Sequence, residues 1–343
     1  MAEVSPAELS PLPVPARSVS LPYQLTWADL APCLPSYGGP GSAWTTYSKR
    51  GRHQGSDRNT IVTLHYRDTD GEPRQRTLFV KEIADRSSRE AARYRYLSEH
   101  GVPVARLLAT VDRAESEVIV LEFLPTIGID PGDADELLAA AGKLNAVTDA
   151  PAEVFTARPG MDQASFDAVV LDALTRLQLS FPVVEPARWA TSYRRGADAY
   201  RELPRTLTHG ELAPQQVGRT PEGALVLFDL ETAAERPRFA DVANVLRTLA
   251  LHTRRPEPEL FATYLQHLRQ AGGGALDPGK VWAELLTTRL VVMVEALPWL
   301  VTLEGDSRSA ACVQTISDDL AHLSSVSRLP HCGRHPSTTR SAL

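Results

Sequence analysis

The stretch LTHGELAPQQVG (residues 207–218), followed shortly by LVLFDLE (225–231), decides the reading of the whole chain. Extended, apolar and β-branched residues lead into His209-Gly210, Glu211 and Gln216 follow five positions apart, and a second apolar run ends in Asp229 and Glu231. Carboxylate and carboxamide oxygens of this kind can hold a hard divalent cation, and a further carboxylate can orient a hydroxyl. Each residue alone has a plainer meaning. His-Gly is a common turn, and an aspartate after a strand is often a surface residue. Order and spacing carry the argument, so the residues on either side of this stretch have to agree with it.

Upstream, three runs rich in Thr, Val, Tyr, Phe and Ile read as strands: AWTTYSK (43–49), NTIVTLHYR (59–67) and RQRTLFVKEI (74–83). RGRHQGSDR separates the first two, and DTDGEP is a hairpin turn between the second and third. SSREAARYRYLSEHG (87–101) reads as a helix with Gly101 at its stop, and VPVARLLATVD and EVIVLEFL (117–124) complete a small antiparallel sheet. From residue 134 the spacing changes to 3 and 4, giving seven helical segments up to about residue 329, with ALVLFDLE (224–231) as the one strand-like run among them. The expected organisation is a loose Pro/Ser/Ala-rich arm (1–22), a sheet-plus-helix lobe (23–125), a larger helical lobe (126–328) and a tail (329–343). The fold class is α+β, in two lobes.

Phosphoryl transfer asks little covalent chemistry of a protein. It needs a cation near the phosphates, a metal held by carboxylate and amide oxygens, and a carboxylate to orient the attacking hydroxyl. Only four of the 36 basic residues are lysines, and Lys81 lies inside the apolar strand LFVKEI. It is either a phosphate contact or an edge-strand lysine with its head in water. Glu90 opens the helix nine residues on, where it could pair with Lys81 or simply favour a helix N-terminus.

HGELAPQQV (209–217) with LVLFDLETAAERPRFADVA (225–243) resembles the aminoglycoside phosphotransferase and choline kinase family, whose pattern is HGDxxxxN followed by hDxE and a later Asp. LFVKEI and REAARYRYLSEHGVPVARLLA resemble that family's lysine strand and following helix, and VIVLEFLP (118–125) its interlobe hinge. The resemblance spans roughly residues 40–325 and implies a bilobal protein-kinase-like fold using ATP and Mg²⁺. By position it makes Glu211 the catalytic carboxylate, Gln216 and Asp229 metal ligands with Glu231 assisting, and Lys81 the phosphate contact held by Glu90. It places adenine against the backbone of Glu122, Phe123 and Leu124, and makes Asp241 the residue that holds the catalytic loop.

The departures are Glu211 for Asp and Gln216 for Asn. Each keeps its functional group and adds one methylene, and an ångström of misplacement costs on the order of a hundredfold in rate. Two readings stay open: a working kinase, or a pseudokinase that binds nucleotide or a partner without turnover. The acceptor of a working enzyme is a small molecule such as an antibiotic or amino alcohol, or a Ser/Thr peptide, in which case a lyase partner would eliminate the phosphate. The tail SRLPHCGRHPSTTRSAL lacks the acidic terminus that aminoglycoside resistance enzymes often carry.

Composition limits the alternatives. With 23% charged residues and net charge −6 there is no general basic field for nucleic acid. Residues 1–125 balance 15 basic against 15 acidic side chains, whereas 126–328 hold 19 and 27, a net −8 that suits a cation or is simply a solvated acidic surface. Cys33, Cys312 and Cys332 make no disulfide framework and fit a reducing cytoplasm, and abundant Ala, Pro and Arg suggest a high-GC bacterial gene. HCGRH (331–335) could clip a metal but reads as tail. No basic-then-apolar leader opens the sequence, and LVVMVEALPWLVTL (290–303), interrupted by Glu295 and Pro298, reads as a buried helix and not a membrane span.

Overall fold

The sheet comes first in the chain, and its two faces differ in burial. A computed structural model describes residues 21–39, 43–48, 58–156, 163–301 and 307–325. Most of the expected N-terminal arm, all of the RGRHQGSDR connection but Arg58, and the HCGRH tract lie outside the described residues. After a single turn, α1 (Trp27–Leu30), come β1 (Ala43–Ser48), β2 (Arg58–Arg67), β3 (Pro73–Ile83), α2 (Glu90–Glu99), β4 (Leu107–Asp112) and β5 (Glu117–Glu122). The five strands form one antiparallel sheet in the order β1-β2-β3-β5-β4.

Period-2 alternation sorts the side chains of that sheet. Val62, Leu64, Tyr66, Leu78, Val80, Val118 and Val120 are buried against Leu21, Leu25, Leu30, Cys33 and Leu34, so the segment before β1 covers one face. Burial of each such aliphatic side chain contributes about 1.5–3 kcal/mol. A capping box fixes the start of α1: Thr26 Oγ1 accepts from the Asp29 amide, and the Asp29 carboxylate accepts from the Thr26 amide. The opposite face carries Asn59, Ile61, Thr63 and His65, all half-buried, and Phe79 and Lys81 from β3. The DTDGEP turn closes β2 onto β3 through Asp68, whose Oδ1 accepts the amides of Asp70 and Glu72 while Oδ2 receives Arg74 Nε at 2.8 Å.

The rest of the chain is mostly helical. It runs through β6 (Thr126–Ile127), α3 (Ala134–Asn145), α4 (Ala152–Phe155), α5 (Gln163–Ser180), α6 (Pro186–Arg201), β7 (Arg205–Thr208), β8 (Val217–Arg219), β9 (Leu225–Leu227), β10 (Ala234–Pro237), α7 (Ala240–Thr253), α8 (Glu257–Gln270), α9 (Pro278–Leu300) and α10 (Ser307–Ser325). Helices α5, α6, α9 and α10 share one apolar core around Leu174, Trp189, Val291 and Ile316. Phe239, Phe261 and Tyr264 form an aromatic group, with α3 packed so closely on α8 that a Cβ at Gly142 would lie 2.9 Å from the Leu268 amide nitrogen. Arg289 is buried and bonds both oxygens of Asp319, at 2.6 and 2.7 Å, with Glu257 on its other side.

The chain divides into two compact units. One comprises residues 1–99, 104–126 and 218–226, and the other residues 100–103, 127–217 and 227–343.

Several sequence expectations need correction. The run 224–231 is a strand only at Leu225–Leu227, because Asp229 takes a left-handed conformation (φ 63°) and the chain then turns through a 3₁₀ segment, Leu230–Thr232. It is not the one strand in the helical region, since β7 pairs with β10 and β8 precedes β9. These strands are three or four residues long, too short to show alternation. The strand expected from Val102 begins at Leu107, and the helix expected from Ser87 begins at Glu90, after a left-handed Arg89 (φ 55°).

Candidate active site

In the first unit the candidate residues begin with Lys81. Its ammonium lies 2.8 Å from Glu90 Oε2, with side-chain exposures of 6% and 1%. The reason is local: β3 directs Lys81 to the face opposite the covered one, and the Arg89 kink starts α2 with Glu90 on its first turn. Glu122 ends β5, pairing with Leu78. Its amide donates to the Arg106 carbonyl at 3.0 Å, and its Oε1 accepts the Arg106 amide at 2.7 Å. Phe123 and Leu124 follow beyond the strand, half-buried and buried respectively.

In the second unit the loop after β7 is built on Asp241. One of its oxygens accepts the His209 amide at 2.8 Å and the other the Gly210 amide at 2.9 Å. Asn145 supports the same place from α3, donating to the Leu207 carbonyl at 2.7 Å while its Oδ1 accepts the Tyr264 hydroxyl at 2.8 Å. Burial pushes the Tyr264 phenol far up, so the hydroxyl stays protonated and keeps its role as donor. The His209 ring is fully buried, and its Nε2 lies 2.8 Å from the Phe228 carbonyl. A carbonyl only accepts, so Nε2 carries the hydrogen. That bond ties the loop to the residue before Asp229.

Gly210 is fixed by space as well as by torsion. Its φ is +91°, and a Cβ would lie 2.6 Å from the Thr232 carbonyl oxygen and 2.9 Å from Arg236 Nη2. Thr232 Oγ1 donates back to the His209 carbonyl at 3.0 Å, and Arg236 donates to the Thr232 carbonyl at 3.2 Å. Glu211, immediately after this clamp, is exposed. The Gln216 carbonyl accepts the Phe228 amide at 3.1 Å, which binds the two halves of the loop together just before Asp229.

The residues present fit a hard divalent cation. Gln216 Oε1 is buried with no hydrogen-bond partner. Carboxylate oxygens of Asp229 and Glu231 lie within 4.8 Å of each other. An amide oxygen without a protein donor and two carboxylates, all oxygen, are the ligand type that Mg²⁺ takes.

Of the residues singled out in the sequence, Lys81 with Glu90 are brought into contact, and Gln216, Asp229 and Glu231 share one loop pair. Sequence reasoning missed Asn145, Tyr264, Thr232 and Arg236, which hold that loop. The one available hint was an asparagine ending the apolar helix ADELLAAAGKLN.

Comparison with curated protein sequences finds no match. Among solved structures, the chain resembles Plasmodium vivax ethanolamine kinase at TM-score 0.52 and 12% identity, over 80% of this chain and 81% of that one. It resembles choline kinase LicA from Streptococcus pneumoniae at TM-score 0.50 and 13% identity, over 81% and 94% of the two chains. A structure of LicA in complex with AMP also matches at TM-score 0.50 and 13% identity, over 87% and 96%. At these identities the likeness establishes a kinase-like fold. The model of the phosphotransferase enzyme family matches residues 64–281, a span that contains Lys81, Glu90, Glu211, Gln216, Asp229, Glu231 and Asp241. The chain therefore belongs to the phosphotransferase enzyme family.

Proposed function

We propose that the protein is an ATP- and Mg²⁺-dependent O-phosphotransferase that moves the γ-phosphoryl group to a hydroxyl of a small-molecule acceptor. The observation that carries this reading is the buried ion pair of Lys81 and Glu90 at 2.8 Å. A pair taken out of water gains little stability over an apolar pair of the same size, so its presence argues for a task. The task is to hold an ammonium fixed on the half-open face of the sheet.

Distances along the strands support the nucleotide. Glu122 pairs with Leu78, and Ile119 with Lys81, three residues further along β3. At strand rise that is about 10 Å, a separation that would put Lys81 near the α- and β-phosphates of a nucleotide whose base lies at that backbone. Backbone around Glu122, Phe123 and Leu124 would receive the adenine, and Ile61, Phe79 and Leu121 offer an apolar floor on the way to Lys81. Lys81 would hold phosphate oxygens, with Glu90 keeping its ammonium in place.

Gln216 and Asp229, assisted by Glu231, would hold Mg²⁺, which when bound neutralises phosphate charge. Glu211 would accept a hydrogen bond from the acceptor hydroxyl and take its proton as the phosphoryl group arrives. The net −8 of residues 126–328 favours a cationic acceptor.

The test is calorimetric titration with ATP, with and without Mg²⁺, followed by an acceptor screen for phosphoryl transfer. Asp229→Ala is expected to stay folded, lose the Mg²⁺-dependent gain in affinity and transfer no phosphate. Transfer retained in that variant would overturn the assignment. ATP binding without transfer to any acceptor would make the protein a pseudokinase.

A further inference from the structure

The half-open face of the sheet also carries an uncharged polar residue outside the candidate site described above. Asn59 on β2 pairs directly with Lys81 on β3, so the two side chains stand opposite each other on the same face. The alternation fixes that face: Thr60, Val62 and Leu64 are buried on the other side, where Thr60 meets the Tyr23 hydroxyl. Asn59 Oδ1 is buried and has no hydrogen-bond partner. A strand position of this kind favours a β-branched residue, and a buried amide oxygen left without a donor there is destabilising. The next cross-strand pair on that face, Ile61 with Phe79, is apolar, and the one after it, Thr63 with Thr77, satisfies itself at 3.2 Å. Among these three pairs only the one containing Lys81 has a buried side-chain oxygen without a hydrogen-bond partner.

We propose that Asn59 is a second contact for the nucleotide phosphates, placed beside Lys81. The inference rests on the phosphotransferase reading above. With no protein group fixing the orientation of its carboxamide, a half-turn about the last side-chain torsion exchanges O and NH₂. A phosphate oxygen only accepts, so the ligand selects the orientation in which the NH₂ donates. Lys81 then supplies charge and Asn59 direction, and the pair reads a phosphate oxygen from two adjacent strands. Asn59 is a binding residue in this account and takes no part in proton transfer.

Two substitutions test it. Asn59→Val removes the unsatisfied acceptor and restores a strand-forming residue, so the thermal midpoint of the ligand-free protein is expected to hold or rise while ATP affinity falls about tenfold. Asn59→Asp puts a carboxylate beside the phosphates and is expected to weaken ATP by at least a further tenfold. Adenosine, followed by ligand-observed NMR, is expected to bind both variants as it binds the wild type. ATP affinity unchanged in both variants, or ATP and adenosine weakened in parallel with a lowered thermal midpoint, would overturn the proposal, the second pattern marking a packing role. Failure of the wild type to bind ATP at all would overturn the phosphotransferase reading and this inference with it.

Discussion

Asp241 and Gly210 lie 31 residues apart and are joined by a 2.9 Å hydrogen bond from the Gly210 amide, with the His209 amide on the other carboxylate oxygen at 2.8 Å. One side chain thus fixes two successive peptide units immediately before Glu211. Asp241→Asn would turn an NH₂ toward one of those amides and leave it buried without an acceptor, at about 1–3 kcal/mol. The expected outcome is a lower unfolding midpoint and loss of hydrogen-exchange protection at His209 and Gly210, measured by exchange mass spectrometry.

Gly210→Ala faces two penalties. The residue has φ +91°, and the new methyl would lie 2.6 Å from the Thr232 carbonyl oxygen. The torsion alone costs roughly 1–2 kcal/mol, and the contact forces the loop to move. Phosphoryl transfer is expected to fall by on the order of a hundredfold while ATP affinity changes little, since Lys81 belongs to another part of the chain. Steady-state kinetics separate the two.

Lys81→Ala would leave the Glu90 carboxylate buried at 1% exposure beside an empty place. Breaking a buried pair from one side costs about 3–5 kcal/mol, so this variant loses stability along with nucleotide binding. The double change Lys81→Met with Glu90→Gln removes both charges and is expected to regain most of the melting temperature while still failing to bind ATP. Thermal denaturation of the single and double variants checks the first half of that statement, and titration the second.

Glu211→Gln keeps shape and removes the base. Glu211 is exposed, and its proposed partner is the acceptor hydroxyl, so the expected loss in kcat is about 10²–10⁴-fold with ATP affinity unchanged. A comparable loss of ATP affinity would show that Glu211 serves the nucleotide.

The β2–β3 turn predicts a pH dependence. Arg74, with the amides of Glu72 and Asp70, holds the Asp68 carboxyl below the usual carboxylate range. A carboxylate with a depressed folded-state pKa stabilises the fold above its unfolded value, and the contribution disappears as pH falls through the folded one. Asp68→Asn is therefore expected to lower the unfolding midpoint near neutral pH and to converge with the wild type in acid. Melting curves from pH 7 down to pH 2 measure the convergence.

What the sequence makes legible follows from interaction range. The strands at Arg58–Arg67 and Pro73–Ile83 and the helices from Ala134 onward are written in local periodicity, and Lys81 is conspicuous in a chain with four lysines. The strands Arg205–Thr208 and Ala234–Pro237 carry too few residues for a pattern and exist because each pairs with the other across the loop. The bond from His209 to the Phe228 carbonyl and the Tyr264–Asn145 buttress are tertiary, spanning 19 and 119 residues, and no spacing rule reaches them. Asn59 belongs to the same class, since only the strand register places it opposite Lys81.

Calorimetric titration of the protein with ATP in the presence of Mg²⁺, run beside the Lys81→Met, Glu90→Gln double variant, shows whether the buried ion pair serves a nucleotide. Saturable one-site binding is expected in the wild type and none in a double variant that remains folded. Equal binding by both proteins, or no binding by either, would contradict that role.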